Sequence, residues 1–307
     1  MKKLMFAAAV MSAFAVVAAD AAKSVNPAEE KPAEVEAEEA PLFWGFANYG
    51  IYSGYQLYGS LVNSEPTLQG YFEGNMNLRV EDLSLGYLGI GIWSNCDLTK
   101  QRDRNLGRAF NEWDFNIHWG RTFWFDDEET WGLDYRTSFV WYYYPHHWYQ
   151  KDKPNGKTDT TMDWNHSFAL KNPYVVPFID VVHEYHESDG NLLQFGLKRD
   201  FVGAFDVEGL TLTPSATFVW RNRNYGWCFP HYGLDENFSK INSCLATMKL
   251  MLEGTYQFSD HFGVFAKIAF CQIIDGDLRE ACEACDYADY GKYKEFVWGG
   301  VGLTFNF

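Results

Sequence analysis

"PTLQGYFEGNMNLRV", residues 66–80, alternates. Leu68, Phe72, Met76, Leu78 and Val80 fall on one parity; Thr67, Gln69, Tyr71, Glu73, Asn75, Asn77 and Arg79 fall on the other. Successive side chains of a strand point to opposite faces, so this stretch predicts a strand that is apolar on one side and polar on the other. The design recurs. Residues 209–221 set Leu210, Leu212, Ala216, Phe218 and Trp220 against Thr211, Thr213, Ser215, Thr217 and Arg221. Residues 246–258 and 262–270 follow the same rule.

Working outward, about twelve such segments fill the chain, near 43–58, 66–80, 85–96, 109–125, 131–145, 161–171, 174–187, 191–201, 209–223, 243–258, 261–271 and 292–307. Connections after even-numbered segments are short, and most of those after odd ones are long, with 188–190 the exception. In 109–125 the apolar face carries Trp113, Phe115, Ile117, Trp119 and Phe123. At about 3.3 Å per residue and a tilt of about 40°, Trp113 to Phe123 spans roughly 25 Å, the height of the lipid-facing band of a membrane barrel. Arg121 interrupts that face, which calls for a snorkelling side chain or a bulge. Pro177 and Pro214 fall inside predicted strands, where each removes a ladder donor.

Composition points the same way. Aromatics make up 18 % of the 307 residues, with 12 Trp and 19 Tyr. No run of 18 apolar residues supplies a membrane helix. The expected fold class is all-β: a transmembrane antiparallel β-barrel of about 12 strands. A secreted β-sandwich shows similar alternation around a core, but aromatics clustered at strand ends favour the barrel.

The first residues give the compartment. Lys2 and Lys3 precede an apolar run from Leu4 to Ala19 that exits through small residues, so 1–21 reads as a signal peptide. Residues 22–42 read as a flexible acidic Ala/Glu/Pro linker, unable to bury enough apolar area to order itself. Residues 43–307 form the barrel. Of the net charge of −16, the linker and leader leave −13 to the barrel, which excludes a nucleic-acid partner.

With apolar residues facing lipid, the inward set includes Glu73, Arg79, Glu112, Asp114, His118, Asp134, Arg136, Asp163, Asp180, Glu184, Lys198, Asp200, Arg221, Lys249, Glu253 and Lys267. Such a set either lines a narrow polar pore or fills the barrel with ion pairs. The acidic excess favours cations over anions in a confined pore. Cys96, Cys228, Cys244, Cys271, Cys282 and Cys285 all map to outer strand ends or outer loops, and export favours disulfides. Connectivity is open among six; a Cys228–Cys244 bridge within one loop is the expected pairing. No metal site is expected: His183 and His186 are three apart and so face opposite ways on a strand, and His146 and His147 form a solvated loop pair.

"SGYQLYGSLVNSEPTLQGYF" (53–72), followed by "LGIGIWSNCD" (88–97), resembles the opening strands of the TorF-type porins. That family has a Tyr–aromatic–Arg–Gly run, then a Pro…Gln-Gly segment, then a Trp-Ser strand. Tyr55, Gly59, Pro66, Gln69, Gly70, Trp93 and Ser94 match, and Leu57-Tyr58 stand where the family has its Arg. The resemblance implies a Gram-negative outer-membrane porin. Gly302, Phe305 and Phe307 resemble the signal read by the barrel-assembly machinery.

The expected function is therefore passive diffusion of small polar solutes or ions, without cofactor or chemistry, in outer-membrane lipid, with the linker in the periplasm. One alternative is an adhesive or structural barrel acting through disulfide-tied loops. The other is a barrel lipase, which His166 and Ser167 do not support, because neighbours on a strand face opposite ways. Oligomeric state is left open.

Overall fold

The alternation at residues 66–80 becomes strand Thr67–Val80 in a computed structural model that describes residues 41–80, 83–98, 110–144, 160–186, 189–225, 242–284 and 294–307. The expected signal peptide, linker residues 22–40, Cys228, Cys285 and the His146–His147 pair lie outside the described residues.

The strands are β1 (Phe43–Tyr52), β2 (Tyr55–Leu57), β3 (Ser60–Asn63), β4 (Thr67–Val80), β5 (Leu83–Asp97), β6 (Phe110–Trp124), β7 (Gly132–Tyr143), β8 (Thr160–Lys171), β9 (Val176–Glu184), β10 (Gly190–Lys198), β11 (Phe201–Val202), β12 (Leu210–Arg221), β13 (Cys244–Gln257), β14 (Phe262–Ile273) and β15 (Glu295–Asn306). Twelve of them form an antiparallel ring in the order β10-β9-β8-β7-β6-β5-β4-β1-β15-β14-β13-β12, closed by the pairing of β12 with β10. The two-residue β11 adds to the edge of β12, and β2 pairs only with β3. Closure gives every wall strand a neighbour on both sides, which leaves no open edge for the bilayer to penalise.

Register makes the sidedness explicit. Ile90, Ile117, Phe139 and Trp164 stand side by side on β5 to β8, and all four are exposed. The neighbouring row, Asn75, Gly89, His118, Ser138 and Asn165 on β4 to β8, faces inward. An apolar belt outside and polar rows inside is the pattern that lipid selects in a barrel. Most connections at one end are short and most at the other long, with the short β9–β10 connection and the longer β10–β12 connection as exceptions; the two ends are called the turn end and the loop end below.

The interruptions find local answers. Arg121 stays on the outer face, its guanidinium 5.0 Å from the centre of the Phe123 ring near the turn end. The β6–β7 register runs unbroken past it, so the bulge alternative is excluded there. The Pro214 carbonyl accepts the Arg199 N–H, which places the side of the residue that lacks a donor beyond the last β10–β12 pair, Lys198 with Ser215. Pro177 likewise lies past the last β8–β9 pair, Ala169 with Phe178. Pro177 thus lies past the end of a ladder on one side, and Pro214 lies in the gap between the β10–β12 and β11–β12 ladders.

The main departure from the expected map is at the start. The strand expected over 43–58 stops at Tyr52. The chain then leaves the wall and returns as the small β2–β3 hairpin before β4 begins.

Candidate functional site

The hairpin turns on Tyr58 and Gly59, whose φ values of 48° and 81° are both positive, as the twist-matched two-residue turn requires. Gly59 fits without strain; a Cβ there would also strike Thr247. The Gly59 N–H donates to Gln56 Oε1 at 3.1 Å, which closes the turn from within.

The hairpin crosses the lumen rather than the surface. Leu61 and Tyr55 are buried, and Tyr55 packs on the inward Trp93 of β5 at 5.4 Å between ring centres. At the base, the Gly54 carbonyl accepts from Trp298 Nε1 of β15 at 2.8 Å and from Thr67 Oγ1 at 3.3 Å. On the return strand Asn63 Nδ2 donates to Asp97 Oδ1 at 2.8 Å. At the tip the Tyr58 carbonyl accepts from Thr247 Oγ1 of β13 at 2.6 Å. The Tyr58 hydroxyl makes side-chain hydrogen bonds to Tyr225, beyond β12, and to Tyr142 of β7. Burial pushes the Tyr58 phenol well above its ordinary range, and nearby Asp163 pushes the same way, so the group stays neutral.

Inward apolar residues explain how the tip is held. Val182, Leu192, Val219 and Tyr225 form a buried cluster inside an otherwise polar lumen, and Leu57 and Tyr58 pack against it. Each aliphatic side chain covered in this way contributes about 1.5–3 kcal/mol relative to facing water.

On the turn-end side of the hairpin lies a cavity of about 620 Å³. Its lining mixes rings (Tyr52, Trp93, Trp298) with polar groups (Asn48, Gln69, Asp114). Tyr52 and Trp298 stack at 5.2 Å with planes 9° apart. Lys267 Nζ pairs with Glu253 Oε2 at 3.2 Å and also lies 4.9 Å from the centre of the Phe265 ring.

A second polar centre spans four strands. Glu73, 2 % exposed, accepts from Arg136 Nη2 at 2.8 Å, from Asn75 Nδ2 at 3.1 Å and from the Tyr71 hydroxyl. His118 holds Asn75 through Nε2 and Asn116 through Nδ1, both at 2.8 Å. These side chains come from β4, β6 and β7 and meet across β5 because β5 presents glycine there. A Cβ at Gly89 would collide with Asn75 and His118, and one at Gly91 with Asn116 and Tyr71. The "LGIGIW" stretch is a window in the wall lining.

The remaining inward groups divide by side. Glu112, Asp114, Asp163, Asp180 and Glu184 sit on β6, β8 and β9. Glu112 is hydrogen-bonded to Tyr55 and Tyr144, Asp163 Oδ2 accepts from Tyr142 at 2.9 Å, Asp180 Oδ2 from Gln194 Nε2 at 3.0 Å, and Glu184 Oε1 from Thr161 Oγ1 at 2.6 Å. Arg221, fully buried, and Lys249 sit on β12 and β13. Arg79, Lys198 and Asp200 are exposed at the turn end rather than enclosed. Asp134, near the same end, is about 40 % exposed and pairs with Lys171 at 3.3 Å.

No family model matches the sequence, and no curated protein matches it. Solved structures do. An outer membrane channel from Pseudomonas putida F1 is 10 % identical, with a TM-score of 0.49 over 91 % of this chain and 100 % of that one. Outer membrane phospholipase A from Escherichia coli is 10 % identical, with a TM-score of 0.43 over 85 % and 92 %. OmpF from Salmonella typhi, in complex with daunomycin, is 9 % identical, with a TM-score of 0.36 over 86 % and 97 %. Likeness at this level carries no activity across; the barrel itself is read from the strand pairings.

The lipase alternative fails on geometry at the position weighed. Ser167 turns inward, while His166 turns outward and meets the Tyr135 hydroxyl at 2.9 Å. The disulfide expectation is corrected for three residues: Cys96, Cys244 and Cys271 are free thiols, which removes the Cys228–Cys244 bridge. Cys282 lies on a helix, Gly276–Ala284. Among the described residues no group of His, Cys, Asp and Glu is placed to hold a metal ion. His183 points away from the lumen and holds Asn191 Oδ1 through Nδ1 at 3.0 Å.

Proposed function

We propose that this protein is an outer-membrane channel through which small polar solutes or ions diffuse passively, its passage set by the β2–β3 hairpin. The observation that carries the reading is a polar lumen crossed, inside a closed apolar-belted ring, by a hairpin bonded to both walls. A structural filling would need no such strap with a cavity of about 620 Å³ next to it. In this reading the outer belt meets lipid and the turn end faces the periplasm, where the 22–42 linker lies. The barrel-assembly machinery reads Gly302, Phe305 and Phe307, and the inward charges act as the filter. The segment that resembles the TorF-type porins, 53–72, contains the hairpin itself, so that resemblance falls on the part that would set selectivity.

Planar-bilayer recording of the purified full-length protein tests the proposal. Discrete conductance is expected, and replacing residues 55–63 by a short Gly-Ser turn is expected to raise it severalfold. Silent bilayers from protein that shows heat-modifiable migration, or a conductance unchanged by the excision, would count against it.

A further inference from the structure

We infer that the cavity beside the hairpin is a binding site for small organic cations bearing N–H donors, primary amines and guanidinium compounds; the inference deepens the channel reading and rests on it. Asp114 Oδ1, Asp163 Oδ1 and Asn165 Oδ1 are buried and have no hydrogen-bond partner. Asp163 is 2 % exposed, and its other oxygen accepts from the Tyr142 hydroxyl. The three occupy adjacent rows of one wall: Asp114 stands opposite Tyr142, Asp163 opposite Val140, and Asn165 opposite Ser138. All three atoms are acceptors. What the wall lacks is donors carrying positive charge, because an uncompensated buried carboxylate is costly.

Two of the inward cations are committed elsewhere. Arg136 is held by Glu73 at 2.8 Å, and Lys267 by Glu253 at 3.2 Å. Among the described residues neither Asp114 nor Asp163 has an ion pair. Of the three, Asp114 lines the cavity itself; Asp163 and Asn165 stand behind it on the same wall, where Val140, opposite Asp163, is the lining residue.

The opposite lining suits the same ligand. Tyr52, Tyr55, Trp93 and Trp298 present rings to the cavity. Ring faces attract cations, most strongly where water is excluded, and Lys267 already uses Phe265 and Tyr52 this way. Other occupants fit less well. A bare metal ion would need converging ligands, which are absent among the described residues. An anion would meet unpaired carboxylates. A sugar would meet the rings and leave the wall's charge uncompensated. An extended amine satisfies both walls at once.

The test uses the full-length protein and agmatine, with sucrose and glutamate as controls. Agmatine should block the ionic current at concentrations where both controls are inert. Asp114→Asn should weaken the block about tenfold, the loss expected for one charge-assisted hydrogen bond. Should it fail to fold, Val140→Lys places a tethered ammonium against the same wall and should abolish the block. Calorimetric titration of agmatine into the micellar protein separates the two readings. Silent bilayers with agmatine still binding would overturn the channel and keep the site. A conducting pore indifferent to agmatine, equal block by sucrose or glutamate, or block unchanged in the variants would overturn the site and keep the channel.

Discussion

Trp298 Nε1 donates to the Gly54 carbonyl over 2.8 Å, joining residues 244 positions apart. One bond thereby fixes the base of the hairpin to the last strand of the wall. Trp298→Phe would keep a ring against Tyr52 but delete the donor. A net cost of about 1 kcal/mol in stability is expected. The larger effect should be on the current, since a hairpin with a loosened base fluctuates in the passage. Single-channel recording should show greater open-channel noise for Trp298→Phe than for wild type, at similar protein yield in the membrane.

Gly89 is where two strands reach across a third. Gly89→Val puts methyl groups where Asn75 Oδ1 and His118 Nε2 meet, and either side chain can yield only by giving up the 2.8 Å hydrogen bond between them. Overpacking of this kind costs about 1–3 kcal/mol. The heat-modifiable transition of Gly89→Val should come at lower temperature than wild type. Ile90→Val, one residue on and facing out, should leave it nearly unchanged; similar shifts for both would remove the window account.

Arg136 and Glu73 should show coupling. Arg136→Ala leaves a carboxylate that is 2 % exposed with its charge uncompensated, whereas Arg136→Ala with Glu73→Gln leaves a neutral amide among hydrogen-bond partners. Because the Arg136 side chain is 31 % exposed, the single change should cost about 2 kcal/mol rather than the larger cost of breaking a fully buried pair. Urea unfolding in lipid vesicles should find the double variant more stable than the single one.

What could be read from the sequence follows from length of pattern. Strands such as Thr67–Val80 and Cys244–Gln257 carry period-2 alternation over many residues, but parity does not give height along the barrel, so Arg79, Lys198 and Asp200, assigned inward by parity, lie exposed at the turn end. The β2–β3 hairpin was hidden because its turn is Tyr58-Gly59, not Asn-Gly, and a tyrosine at positive φ is uncommon. Residues 43–58 therefore read as one continuous strand. The partners within the Glu73 centre were hidden for another reason. Which inward groups meet depends on register and on the gaps at Gly89 and Gly91, and neither is a property of one strand read alone.

The cysteines give a direct chemical check. Cys96, Cys244 and Cys271 are free, and Cys271 is fully buried between β13 and β15. Labelling with a maleimide in denaturant, without reductant, should modify at least these three thiols. In the folded protein Cys271 should stay unlabelled over times that suffice for Cys96. Fewer than three labelled thiols in denaturant would restore a disulfide to this part of the chain.

Ile117, 59 % exposed in the middle of β6, tests what surrounds the belt. A charge on the lipid face of a barrel costs about 2–4 kcal/mol at the bilayer midplane and about 0–1 kcal/mol near the interfaces. Phe123 faces the same way near the turn end, beside Arg121, which the outer face already accommodates. Ile117→Lys should therefore destabilise the protein in vesicles by about 2–4 kcal/mol and Phe123→Lys by about 1 kcal/mol or less. The gradient is the discriminating quantity. A protein partner covering the belt would penalise both positions according to local packing, with no dependence on height. Equal costs at the two positions would argue against lipid as the solvent of this face.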